Sequence, residues 1–313
     1  MMSENLDEEI TYVYQCLHNP NNRFITFEDL KTIFQKANIL EKLAENKINI
    51  HEFNLKDFQK AFTHISYTTS RHKKQGKNII EKEDENVDVN LCIPIQEDSM
   101  EKLEWLGDAI IQSVVGTYLW KRFPNQDEGF LTKTRSKLVK TEALGRYGKY
   151  LDFGNMILVS KHIEDYCNGR NNPKHLEDCF EAFVGVLYEQ TCNICKYDIV
   201  TDFILNLIEK IVDLPMLILN DDNYKDQLMK YYQKTFKGKC PTYSEVKVEE
   251  IPTGDGETNS KKKIFTMCTN DIYGQPIAYG KAKSKKDAAQ LSAKEACRIF
   301  GLPVFDNISY YFY

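Results

Sequence analysis

The sequence predicts a mainly α-helical protein in which an all-α body is followed by a smaller α-β-β-β-α module. Three observations predict it. Apolar residues recur at helical spacing from Ser99 to about Val212, with breaks at "FPNQDEG", "LDFGN" and "CNGRNNP". Beyond Asn223 a helical stretch gives way to the strand-like runs "TYSEVKVEEI" and "KKIFTMCTNDIYG", and a last helical pattern runs from Ser284 to Phe300. Charge divides at the same place: residues 222–301 carry a net +5, while the rest of a chain of net −5 carries −10. A basic module is attached to an acidic body.

The elements follow in order. An N-terminal helical extension is expected over residues 1–47, from "DEEITYVYQCL" and "TFEDLKTIFQKANIL". Thr26, with Asp29 three residues on, opens the second of these as a variant of the capping box. The main body is expected over residues 48–220, beginning with the apolar segment Leu55 to Tyr67. Within it, about 68–98 is polar and mixed in charge, so a mobile insertion is expected there. Asn220 to Asn223 reads as a hinge, residues 221–301 as the basic module and 302–313 as a tail.

Composition narrows the function classes. A hydrophobic content of 42% and an aromatic content of 12% over 313 residues suffice for about two cored domains. No apolar run approaches the roughly 18 residues of a membrane span, and the acidic N-terminus lacks the pattern of a secretory signal. The expectation is a soluble, intracellular protein, cytoplasmic or nuclear, without a membrane partner. The nine cysteines are odd in number and scattered through apolar segments, so reduced thiols are expected. Cys192 and Cys195 form one C-x-x-C, but a structural zinc needs a second pair, which is missing.

The chemistry concentrates in two segments. On a helix, Glu101, Glu104 and Asp108 of "EKLEWLGDAII" fall within about a 60-degree stripe. Leu103, Leu106 and Ile110 cover the opposite face, and the helix reads as apolar nearly all round, hence buried. In "HLEDCFEAFVGVLYEQ", Asp178 and Glu181 share a face with Gly185, while Phe180, Phe183 and Leu187 point away. Gly107 and Gly185 would let two such helices approach closely, bringing four carboxylates together. Two amphipathic helices showing acids to water would produce a similar pattern, but neither segment has the broad polar face of a surface helix. Buried like charges are costly unless a cation meets them. An all-oxygen ligand set suits Mg²⁺ or Mn²⁺ and disfavours zinc or copper.

These residues resemble the ribonuclease III family, whose signature is close to E-R-L-E-F-L-G-D-A; Glu101 to Ala109 reads EKLEWLGDA. The resemblance continues through "AFTHISY", "FPNQDEGFLTKTRSKLV" and "LEDCFEAFVGVLY", in the family's order. It implies an all-α catalytic domain that hydrolyses double-stranded RNA with Mg²⁺, Mn²⁺ being a substitute, and leaves 5′ phosphates, 3′ hydroxyls and short 3′ overhangs. Glu104, Asp108, Asp178 and Glu181 would be the metal ligands, Asp108 and Glu181 the foremost catalytic acids, and Glu101 an auxiliary. It also implies a homodimer, with Trp105 at the contact where phenylalanine is usual. His64, inside "FTHISY", reads instead as a hydrogen-bonded core residue.

The module of residues 221–301 resembles a double-stranded RNA-binding domain, most clearly in "YGKAKSKKDAAQLSAKEAC". By that resemblance Gln227, Lys281, Lys283, Lys285 and Lys286 would contact RNA. Ala282, Ala289 and Lys230 depart from the pattern, and the loop Val248 to Ser260 lacks the usual G-P-x-H turn. The layout is similar to that of some fungal and viral members. Two other readings stay open: a non-cleaving protein that sequesters duplex RNA, and an all-α metal-dependent phosphohydrolase acting on nucleotides.

Overall fold

A computed structural model describes residues 13–69, 79–81, 87–191, 195–219, 223–252 and 261–304. The chain divides into two compact units, Met1–Val212 and Asp213–Tyr313.

In the first unit, α1 (Phe27–Lys36) begins with the expected capping box, in which Thr26 and Asp29 each satisfy the other's backbone N–H. A short α2 (Leu40–Glu45) and α3 (Leu55–Ala61) follow. The body is built from α4 (Glu101–Arg122), α5 (Glu128–Val139), α6 (Thr141–Tyr150), α7 (Lys161–Cys167), α8 (Pro173–Gln190) and α9 (Lys196–Ile211). Three helix breaks fall at the predicted Pro- and Gly-containing stretches, while the break at Lys140 between α5 and α6 is not among those expected. The helix α8 is the axis of the unit: residues Leu176 to Leu187 are all buried, and α4 and α6 pack along it.

Its core is aromatic. The Phe183 ring lies 5.3 Å from Phe58, 5.3 Å from Phe153 and 5.5 Å from Phe203, centroid to centroid. Phe34 of α1 also reaches Phe183, at 6.0 Å. The expected N-terminal extension is therefore part of the same core, and Asn206 of α9 reinforces this by donating to the Ala37 and Asn38 carbonyls.

Two expectations are corrected. "DEEITYVYQCL" was expected to be helical, yet Val13–Gln15 forms a strand, β1, paired in parallel with β2 (Ile79–Glu81). A short run of aromatic and β-branched residues fits either element, and a distant partner decides between them. The expected mobile insertion is ordered where it is described: Thr69 N–H donates to the Gln96 carbonyl at 2.9 Å, and Gln96 N–H to that of Tyr67 at 3.1 Å. The rest of that insertion, residues 70–78 and 82–86, and most of the expected hinge lie outside the described residues, as does Cys192. The eight described cysteines are free thiols.

The second unit opens with α10 (Leu214–Leu219) and then has the expected order: α11 (Tyr224–Thr235), β3 (Thr242–Pro252), β4 (Lys261–Asn270), β5 (Pro276–Ala282) and α12 (Lys285–Ile299). The sheet is antiparallel in the order β3-β4-β5. Leu228 and Tyr232 of α11 meet Ala293, Ala296 and Cys297 of α12 in its core. Small residues let α12 lie close on the sheet; a Cβ on Gly280 would collide with the Ala288 carbonyl and the Ser292 nitrogen. Leu302 and Val304, expected in the tail, pack against this core.

The predicted close approach of α4 and α8 is present. A Cβ on Gly107 would fall inside the Glu181 carbonyl oxygen, and one on Gly185 would lie 2.5 Å from the Leu103 carbonyl oxygen. Both obstacles are backbone and cannot swing aside. Gly107→Ala should therefore destabilise the protein by about 3 kcal/mol or more, measured by chemical denaturation. Gly116→Ala on the same helix, whose Cβ would have no neighbour nearer than Arg135 Nη1 at 3.9 Å, should be neutral or slightly stabilising by up to about 1 kcal/mol.

Candidate active site

The glycine contact fixes what surrounds it. Glu104 lies in the first turn of α4, three residues before Gly107, and Glu181 is the residue whose carbonyl Gly107 touches. Asp178 precedes Glu181 on α8 by three residues and faces the same way. One carboxylate oxygen from each of Glu104, Asp178 and Glu181 lies within 4.8 Å of the other two. Asp178 and Glu181 are buried, and Glu104 is half-buried.

Asp108 stands apart from these three. It is exposed, accepts a hydrogen bond from Gln112 Nε2 at 3.2 Å, and is not among the converging oxygens. Its charge nonetheless reaches Glu181. Glu101 is exposed and accepts from the Ser99 hydroxyl at 3.1 Å. The helix α4 is thus not buried all round, as its composition suggested. It buries Gly107, Ile110, Ile111, Val114 and Val115, while Trp105 is 75% exposed. Its apolar surplus lies on a face left open among the described residues.

Two functional neighbours escaped the sequence reading. Lys174, in the first turn of α8, places its ammonium 2.6 Å from Asp178 Oδ1, 3.0 Å from Glu177 Oε2 and 3.9 Å from Glu104 Oε1. Glu177 is itself buried, a fifth carboxylate at the site. The spacing held the signal: Lys174 is four residues before Asp178 and three before Glu177, the distances at which helical side chains meet. These short contacts combine hydrogen bonding with opposite charge.

This crowding sets the protonation. Burial first, then the charges of Asp178, Glu101 and Glu177, push the Glu104 carboxyl up to about 7, with Lys174 opposing. Burial likewise leads at Glu181, where Glu177, Asp108 and Glu104 help to push it up to about 8. For Lys174, burial works against the ammonium, but Asp178 and Glu177 outweigh it and hold the pKa above its usual value. The donor set fits a hard divalent cation: every converging atom is a carboxylate oxygen, with no sulfur or imidazole among them. His64 is hydrogen-bonded, as expected, but half-buried rather than in the core. Its Nδ1 meets the Ser66 hydroxyl at 2.9 Å, and its ring lies 4.4 Å from that of His175.

In the second unit, Gln227 is half-buried on α11, and Lys283, Lys285 and Lys286 are exposed at the start of α12. Lys281 belongs elsewhere. It pairs with Thr266 in the β4-β5 ladder, on the face of the sheet opposite Met267, whereas Met267 packs against Ala288 and Ala289 of α12.

The raised carboxyls have a sign that can be tested. Folded, metal-free protein keeps protons at Glu104 and Glu181 up to about 7 and 8, whereas in the unfolded chain these groups titrate near 4.5. Their contribution to stability is full below the unfolded value and is lost as pH rises through the folded ones. In EDTA, the unfolding temperature should fall between about pH 5 and about pH 8, and Glu181→Gln should flatten that fall. A rise over the same interval contradicts the assignment.

The Ribonuclease III domain model matches residues 101–191, from the start of α4 to the end of α8. A probable ribonuclease 3 of Acanthamoeba polyphaga mimivirus is 33% identical over 282 residues, covering 88% of this chain and 46% of that protein. The chain therefore spans about half the length of the mimivirus relative. Ribonuclease 3 of Geobacillus kaustophilus is 30% identical over 273 residues, covering 86% of this chain and 94% of that protein. Among solved structures, the nuclease domain of ribonuclease III from Campylobacter jejuni matches 58% of this chain and 94% of its own at 25% identity, with a TM-score of 0.41. Aligned at this identity over nearly the whole Geobacillus protein, the chain belongs to the ribonuclease III family.

Proposed function

We propose that the chain is a divalent-metal-dependent endoribonuclease that hydrolyses double-stranded RNA, leaving 5′ phosphates and 3′ hydroxyls with short 3′ overhangs. The observation that carries the reading is the gathering of Glu104, Asp178 and Glu181 oxygens within 4.8 Å of one another. An acidic cluster repels a phosphodiester unless a cation lies between them, so the cluster and an RNA-binding module are compatible only when metal is present. This disfavours the non-cleaving duplex binder, which has no use for the cluster.

Glu104, Asp178 and Glu181 would hold the ion, Mg²⁺ or in its place Mn²⁺, and Asp108, which stands apart from them on α4, would have to turn inward to join the set. When bound, the ion supplies activation of a water and stabilisation of charge on the reacting phosphate. The protein's own groups set the stage. Glu104 and Glu181 would have to be deprotonated to hold the ion, and Lys174 lies against the neighbouring carboxylates of Asp178 and Glu177 in its absence. The lysines at the start of α12 would meet duplex backbone, where the positive end of the helix adds to their charge. Such a module reads A-form shape over about 16 base pairs rather than sequence.

A second copy of the chain is the partner that fits the open face of α4. Trp105 is 75% exposed one residue after Glu104, an exposure unusual for so large an apolar side chain. Two copies would place one site on each RNA strand.

Incubation with long duplex RNA and Mg²⁺ tests the activity. Wild-type protein should cut, EDTA should stop it, and Glu181→Gln should lower the rate by roughly a hundredfold or more while duplex retention survives. Cutting by Glu181→Gln at the wild-type rate would remove that residue from the site. Trp105→Ala should shift sedimentation from dimer to monomer with unchanged far-ultraviolet dichroism.

A further inference from the structure

The lysines of the second unit are not all free to meet phosphate. Strand β3 has a bulge between Glu245 and Lys247, which puts Val246 out of register. Before the bulge, Glu245 pairs with Met267 and emerges on the side of the sheet that α12 covers. After it, Lys247 and Glu249 pair with Thr266 and Ile264 and emerge on the other side. The bulge thus sends two glutamates of one strand to opposite faces.

Each glutamate finds a lysine. Glu245 Oε2 lies 2.7 Å from Lys285 Nζ, which also sits 5.7 Å from the centre of the Phe265 ring. Glu249 lies 2.6 Å from Lys247 and 3.5 Å from Lys281. Of these three pairs, only Glu245–Lys285 engages a lysine at the start of α12. A carboxylate oxygen and a phosphodiester oxygen are the same kind of acceptor for an ammonium, and Lys285 cannot give its charge fully to both.

We propose that Glu245 is an internal competitor for RNA phosphate, a carboxylate that duplex RNA displaces from Lys285 on binding. The inference rests on the reading that the α12 lysines contact duplex RNA. It makes the affinity for polyanions lower than the number of lysines implies. Displacement also leaves the Glu245 charge beside the incoming backbone, which adds to the cost.

The test is binding of the full chain to a labelled RNA duplex of about 16 base pairs, followed by fluorescence anisotropy in EDTA so that nothing is cut. Glu245→Gln should bind about 3- to 5-fold tighter than wild type, the range expected from freeing one exposed ion pair. Its affinity should fall more steeply with salt, by about one additional released ion. Glu245→Ala should act in the same direction, and in a Lys285→Met background the gain should vanish. Unchanged or weaker binding by Glu245→Gln overturns the proposal, as does an equal gain from Glu249→Gln or a gain that persists without Lys285. If Lys285→Met with Lys286→Met leaves wild-type duplex binding intact, the RNA contact itself is wrong and the competitor role falls with it.

Discussion

The contact between α4 and α8 at Gly107 and Gly185 is the constraint from which the rest of the site follows. Two backbones touch there, with no side chain between them. Residues within one or two turns on each helix are then forced into a shared space, and those residues are Glu104, Asp178 and Glu181. A wider separation set by ordinary side chains would leave the same acids on two faces, each solvated separately and unable to share one ion. The glycines thus do chemical work although they carry no functional group. The aromatic ring cluster behind α8 makes the spacing rigid, since Phe180 and Phe183 occupy the opposite face of the helix that carries the acids.

Holding acids together has an electrostatic cost, and the protein spreads that cost over several groups. Glu104 and Glu181 reduce it by taking up protons, which their raised pKa values allow near neutral pH. Lys174 reduces it by lying against Asp178 and Glu177. Each device is reversible: a proton leaves, and an ammonium on a flexible stem moves away. A site kept folded by removable charges can accept a cation without rebuilding its scaffold. Glu177 is the least expected member, since a fifth carboxylate increases the repulsion. Its contact with Lys174 at 3.0 Å is the compensation.

Much of this was legible in the chain, for local reasons. Thr26 and Asp29 announced a helix start because capping depends on residues three apart. The acid stripes and the glycines showed themselves because helical spacing places them on one face. What escaped depended on distant partners. Val13–Gln15 is a strand only because Ile79–Glu81 lies beside it. The open face of α4 was invisible because a helix rich in apolar residues reads as buried, whatever covers it. Lys174 was legible in principle from its spacing to Asp178, but a lysine at a helix start resembles any solvated charge. Lys281 looked like one of the cluster in sequence, yet the strand's alternation carries it to the other side of the sheet.

The division of charge between the units gives these details a common direction. An acidic body of net −10 does not attract a polyanion, so under the proposed function duplex affinity would rest on the basic module and on ions that bridge the acids. Salt weakens the first of these contributions by screening and counterion competition, and removal of divalent metal abolishes the second. The two are chemically independent. Under the proposed function, binding and cutting would be separable properties of one chain: the charge that recruits RNA would lie on surface lysines and leave the acids untouched, while the charge that permits reaction would be a cation held by Glu104, Asp178 and Glu181. Net charge alone misjudges such a protein, because the average of a repelling body and an attracting module describes neither.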